Sequence, residues 1–204
     1  MHIELTEMLR CPETHEGSFL VLSTGEMLGR MVRSGVLGCP VCGREYPIIK
    51  GVVAFSGGGR REARRTESPV SGLPSPVDAQ TLQALLDLSG PGGYVVLVGS
   101  AARYAVGLAG LMGGIHFVGI NPPPDVEELP VLSLLVCATL VPLRDAVARA
   151  VVVGAEVATA PWLGEARRVL LHGRRLVVED ERTMPPAGVT PLAAGEGLWV
   201  GEKQ

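Results

Sequence analysis

The chain has 204 residues, 47% of them hydrophobic, and a formal net charge of −3, enough to bury a real core as one ordinary domain plus a small one. A charge so near neutral excludes an overall electrostatic footprint for nucleic acid or a membrane surface. The most apolar stretches, 94–120 and 131–143, are interrupted by Arg103, His116, Pro142 and several glycines, so they suit core elements better than a bilayer span of ~20 unbroken apolar residues.

The opening MHIELTEMLR lacks a basic start followed by an apolar segment, so no secretory leader is expected and the protein is placed in the cytoplasm. Four cysteines in that reducing compartment point to metal binding or packing before disulfides. Leu5, Met8 and Leu9 have the spacing of a short helix over 4–9, and short strands follow at 19–23, 36–37 and 48–55. Residues 57–76, GGGRREARRTESPVSGLPSP, are rich in Gly, Pro, Ser and Arg and lack apolar periodicity, which marks a linker. Its RREARR run (60–65) reads as solvated linker rather than as an RNA contact. The expected organisation is therefore a small β-rich domain over 1–56, a linker over 57–76 and a larger domain over 77–204.

The second domain opens with a helix. Ser75 and Pro76 cap it, Leu82, Leu85 and Leu86 form its apolar face, and Ser89-Gly90-Pro91 ends it. Strands are expected at 94–98, 116–120, 150–153 and 176–179, with helices from the first strand's end to about Met112 and over 163–171. Strands with continuous apolar runs, separated by helices, imply a mostly parallel sheet covered on both faces, and 189–194 with 198–202 reads as a closing antiparallel hairpin. Trp162 and Trp199 are expected to complete cores.

Cys39-Pro-Val-Cys42-Gly43 is a knuckle that aims two thiolates at one tetrahedral ion. Cys11-Pro12 begins a second knuckle, but Thr14 stands where its second cysteine belongs. Three thiolates leave a fourth position to His15, His2, water or nothing. The stretches LRCPETHEG and CPVCGREYPIIKGVVAF resemble the zinc-ribbon family of tRNA-methyltransferase activators across nearly all of residues 1–56. The resemblance implies Cys11, Cys39 and Cys42 as ligands and zinc as the candidate ion; His15 is a candidate fourth ligand from its place beside the incomplete knuckle alone. It also implies a protein partner, since ribbons of this family dock on a methyltransferase domain: the fused domain, another methyltransferase or a second copy, through an exposed strand edge.

Residues 163–179, LGEARRVLLHGRRLVVE, and the segment Val141-Pro-Leu-Arg-Asp145 resemble the class I S-adenosylmethionine-dependent methyltransferases, a Rossmann-like α/β fold. Where that family runs acid-x-Gly-x-Gly-x-Gly after its first strand, this chain has Leu97, Gly99, Ala101 and Arg103. The acid would bind the cofactor's amino end, and the glycines would let it approach the backbone. Leu97 accepts no hydrogen bond, and Ala101 and Arg103 are expected to fill cofactor space. Asn121 stands where an acid would clamp the ribose hydroxyls, and Cys137 where an Asp would contact adenine. Losing three or four such contacts at ~1 kcal/mol or more each weakens affinity by roughly a hundredfold or more. Binding of S-adenosylmethionine is thereby called into question, with Gly99, Ser100, Ala101 and Asn121 left as the residues around its place and Ser100 beside backbone N–H groups able to hold an anion.

No catalytic set stands out. Asp145, Glu156 and His172 are read near the proper strand ends but as surface or cap residues, and the arginines at 167, 168, 174 and 175 as structural. The leading reading is a pseudoenzyme, a degenerate methyltransferase-like protein serving as a binding, scaffolding or regulatory subunit. The alternative is an active S-adenosylmethionine-dependent methyltransferase with an atypical cofactor loop, acting on a small molecule or RNA.

Overall fold

The computed structural model describes residues 1–16, 19–55, 77–138 and 140–204. The expected linker, its RREARR run and the Ser75-Pro76 cap lie outside the described residues.

In the C-terminal part, five strands run parallel: β7 (Tyr94–Val98), β8 (His116–Ile120), β9 (Leu132–Val136), β10 (Ala148–Val153) and β11 (Leu170–Val178). The tail strands β12 (Val189–Gly195) and β13 (Leu198–Lys203) form an antiparallel hairpin, with β13 inserted between β11 and β12. The order β9-β8-β7-β10-β11-β13-β12 is that of the Rossmann-like class I methyltransferase fold: a mostly parallel sheet that reverses direction at β7 and closes on an antiparallel hairpin. Side chains alternate between two buried faces. Val95 and Leu97 of β7 face one core layer with α1 (Ala79–Leu86) and α2 (Ala105–Leu111), and Val96 and Val98 face the other with α3 (Ala160–Val169). This double burial is why these strands read as unbroken apolar runs.

The N-terminal part contributes β1 (Val21–Thr24), β2 (Met27–Leu28), β3 (Met31–Val32), β4 (Ser34–Gly38), β5 (Glu45–Ile49) and β6 (Val52–Ala54). The expected strand over 48–55 is instead a hairpin. Lys50 and Gly51 both take positive φ, 50° and 78°, the two-residue turn whose twist matches paired strands. The turn swings β6 alongside β9, with Val53 opposite Leu135 and parallel to it. The two parts therefore share one sheet of eleven strands among the described residues, with β1 and β12 at its edges.

A 3₁₀ turn over Ile3–Met8 replaces the expected α-helix. Its Leu5 and the flanking Met1 and Leu9 are fully buried in the core layer beneath α3. Leu9 also bridges to Leu143, and the His2 N–H donates to Ser133 Oγ of β9 at 2.9 Å. The first segment is thus pinned to the sheet at several places. In the C-terminal part α1 is capped by Asp78, whose carboxylate accepts from the Thr81 N–H at 2.7 Å. One expected element boundary moved most: β9, which lies within the long apolar stretch 131–143 and was not anticipated as a strand.

Because β6 completes the β9 edge, the two parts should melt together. Val53 is fully buried there, and Val53→Ala removes contacts worth ~2 kcal/mol. It should lower the melting temperature seen by Trp199 fluorescence, a reporter on β13, by roughly 4–8 °C in a single transition. An unshifted Trp199 transition would mean that the two parts unfold independently.

Candidate functional site

Two places among the described residues bring the site residues read from the sequence together. One is the crevice at the carboxyl edge of the parallel strands, where Rossmann-like folds take ligands. The other is the cysteine cluster of the N-terminal part.

At the crevice β7 turns sharply into a 3₁₀ helix, Gly99–Tyr104. Gly99 has φ +66°, and a Cβ there would collide with the Glu156 carboxylate and a Val157 methyl. Only glycine fits this turn. The Glu156 side chain lies across it: the Ser100 N–H donates to Oε1 at 2.5 Å and the Ser100 hydroxyl to Oε2 at 2.6 Å. The protein's own carboxylate thus takes the backbone N–H that the turn offers to an anion.

Two sequence expectations are corrected here. Ala101 does not project into the crevice; it is fully buried with Leu97 in the layer beneath α1 and α2, because the tight 3₁₀ winding turns it inward. Arg103 turns aside to form a two-pronged ion pair with Asp125, both contacts at 2.9 Å. The group that lies on the turn is Glu156, which reads in the sequence as a surface or cap residue near a strand end. Asn121, at φ +48°, folds its amide onto the β9 end: its NH₂ donates to the Cys137 carbonyl and its Oδ1 accepts from the Cys137 N–H, each at 2.9 Å. Each polar end of Asn121 makes one bond in this clamp. Cys137 itself is buried, and burial pushes its thiol up to about 12.

Glu179, just beyond β11, was not anticipated. It is buried, accepts from the Tyr104 hydroxyl at 2.6 Å, and burial raises its carboxyl above the ordinary range against the lowering effect of that bond. Its one sequence cue is a carboxylate following an apolar strand. Asp145 and His172 fall at the amino ends of β10 and β11, across the sheet from the crevice. Asp145 pairs with Arg168 at 2.6 Å, and Arg168 also binds Glu165 and the Val141 and Leu143 carbonyls. That arginine is structural, as expected. Two open depressions, of about 370 and 330 Å³, lie elsewhere, one beside Thr6 and Arg144 and the other beside Arg33 and Lys50.

The cysteine cluster gathers Cys11, Cys39, Cys42 and His15, with their ligand atoms all within 4.8 Å of one another. His2 lies outside it. A tetrahedral zinc ion with Zn–S ≈ 2.3 Å and Zn–N ≈ 2.05 Å requires S···S edges of about 3.8 Å and S···N edges of about 3.6 Å. Cys11 Sγ to Cys42 Sγ is 3.8 Å, and Cys39 Sγ to His15 Nε2 is 3.4 Å, so the donor set fits. The surroundings fit as well. His15 Nδ1 lies 2.9 Å from the Glu16 carbonyl, which fixes the tautomer with Nε2 free to ligate, and the Tyr46 hydroxyl lies 3.1 Å from Cys11 Sγ. Burial raises the Cys11 thiol to about 11, so a cation is what would draw off its proton.

No family model matches the chain, and no curated protein matches it. Among solved structures it is similar to a geranyl diphosphate methyltransferase in complex with GPP and sinefungin (22% identity, 49% of this chain, TM-score 0.43), of which it spans only 42%. It is also similar to a SAM-dependent methyltransferase from Aquifex aeolicus (16% identity, 70% of this chain and 96% of that one, TM-score 0.47). A third likeness is to a Haloferax volcanii complex of a methyltransferase activator with a putative methyltransferase (22% identity, 49% and 50% covered, TM-score 0.40). The strand order, rather than these likenesses, carries the fold assignment. No helix among the described residues is long and apolar enough to cross a membrane.

A carboxyl group raised by burial favours the folded state only while protonated. For Glu179 that stability is present below the ordinary value of 4.5 and is lost as pH rises through the higher folded value. Glu179→Gln keeps an acceptor for Tyr104 without the charge. It should raise the melting temperature at pH 7 by ~2–4 °C, with the gap closing toward pH 4. A variant less stable than wild type at pH 7 would show that the ionised carboxylate is needed.

Proposed function

We propose that this protein is a degenerate methyltransferase-like subunit, in which an activator-type ribbon covers the β9 edge of its own methyltransferase-like part and the cofactor crevice is closed. The observation that carries this reading is the Glu156 carboxylate on the Ser100 N–H and hydroxyl. It is supported by Asn121, whose amide is committed to Cys137, and by Leu97, which faces the core. With β6 engaged on β9, the eleven-stranded sheet, among the described residues, ends in β1 and β12, and we assign a protein partner, whether a methyltransferase or a second copy, to one of these edges.

In this reading Cys11, Cys39, Cys42 and His15 hold zinc in a structural role. Four protein ligands leave no open position for chemistry. The ion supplies a cross-link between the 11–15 loop and the 39–42 knuckle, and the thiolates it stabilises accept from Tyr46.

A second reading, an active methyltransferase with an atypical loop, is favoured by one feature: Gly99 and the Ser100 N–H still hold a carboxylate, which a cofactor carboxylate would have to displace.

The cysteine cluster should hold one equivalent of zinc. Cys39→Ser should abolish it and lower the melting temperature by roughly 6–12 °C, the counterpart of ~3 kcal/mol. Protein that takes up no zinc when supplied with it would refute the assignment. Calorimetric titration of wild type with up to ~1 mM S-adenosylmethionine or its demethylated product should give no binding heat. Micromolar binding by wild type overturns the pseudoenzyme reading, and binding that appears only in Glu156→Ala identifies the carboxylate as a displaceable plug.

A further inference from the structure

A second cluster of metal-binding groups lies apart from the cysteines, where the first segment meets the sheet. His2, Glu4 and His116 bring three ligand atoms within 4.8 Å of one another. The His2 and His116 rings lie 4.4 Å apart, tilted by 41°, and His2 Nδ1 is 3.6 Å from Glu4 Oε2. His116 is the first residue of β8 and Glu4 belongs to the Ile3–Met8 turn, so the three groups span the seam between the two parts.

The unusual feature is what these rings lack. Nδ1 of His2 and Nδ1 of His116 are both buried and have no hydrogen-bond partner, and His2 as a residue is only 6% exposed. A buried polar atom left unpaired costs about 1–3 kcal/mol, and two in adjoining rings need a reason. Nor is His2 loosely placed: its N–H is held by Ser133 Oγ, its backbone bridges to Met31, and the Ile3 N–H donates to the Arg30 carbonyl at 2.9 Å. Arg30 binds the other Glu4 oxygen, Oε1, which leaves Oε2 turned toward His2.

We propose that His2, Glu4 and His116 form a second divalent-cation site that staples the first segment to the start of β8. Two imidazoles and one carboxylate select a borderline ion of the zinc, cobalt or nickel class over calcium or magnesium. Glu4 is half exposed, so water completes the coordination. The site does not depend on the pseudoenzyme reading or on the cysteine cluster.

Cobalt(II) titration of untagged, chelator-stripped full-length protein separates the two sites by spectrum. Ions on thiolates give an intense near-ultraviolet charge-transfer band, whereas a nitrogen–oxygen site gives only weak visible bands. Wild type should take up a second equivalent without the charge-transfer band. His116→Gln and Glu4→Gln should each weaken that equivalent by at least about tenfold while leaving the thiolate band intact, and Cys39→Ser should do the reverse. Should His116→Gln fail to fold, Glu4→Gln decides, since its side chain is half exposed. A wild type without the second equivalent, or one whose second equivalent binds undiminished in Glu4→Gln, overturns the proposal.

Discussion

The parallel pairing of β6 with β9 is the constraint on which the rest of the structure depends. A parallel sheet needs both faces covered and its edges paired or protected, and β9 would otherwise present an open edge of apolar residues. Three residues of β6 meet it in register. Once β6 is there, the first segment is drawn across the sheet, Met1, Leu5 and Leu9 enter the core beneath α3, and Arg33 pairs with Glu128 beside the amino terminus. The N-terminal part is too small to bury much surface alone, and most of its core is shared.

The crevice is governed by the preference of backbone N–H groups for an anion. A turn at a strand's carboxyl end exposes backbone N–H groups that favour an anion. In a binding protein that preference waits for the ligand. Here it is met internally by Glu156, and the space a Cβ at Gly99 would need is already taken by that carboxylate. Arg103 and Asn121 are likewise satisfied by Asp125 and by the Cys137 backbone. A ligand drawn to this turn would first have to displace that carboxylate, which is tethered beside it.

Much of the fold was legible in the sequence because burial on two faces writes itself as short unbroken apolar runs. Tyr94–Val98 and His116–Ile120 were readable to the residue for this reason, bounded by Gly93 and Asn121. β9 was hidden because its Leu-Ser-Leu-Leu-Val runs without a polar break into Cys137 and beyond, so nothing marked where the strand stops. Lys50-Gly51 hid a hairpin for the opposite reason: the turn is so short that two strands passed as one. The site was less legible still. Glu156 meets Ser100 across 56 positions, and no local pattern encodes such a contact. Asp145 precedes β10 and His172 is the third residue of β11, so parallel strand direction alone puts them at the far end. His15 could be named only as the nearest nitrogen to a broken knuckle, since its place beside Cys39 depends on how the loop closes.

The cysteine cluster and the crevice are mechanically joined, although no ligand is shared between them. Tyr46, whose hydroxyl lies against Cys11, packs its ring 4.8 Å from Phe55. The Phe55 N–H donates to the Val136 carbonyl, one residue before the Cys137 backbone that clamps Asn121. Cys11, Tyr46, Phe55 and Cys137 belong to one buried cluster. Packed cores of this kind transmit displacement because they have no slack. One run of packed side chains and a main-chain hydrogen bond thus leads from the cysteine cluster to the strand end that Asn121 clamps.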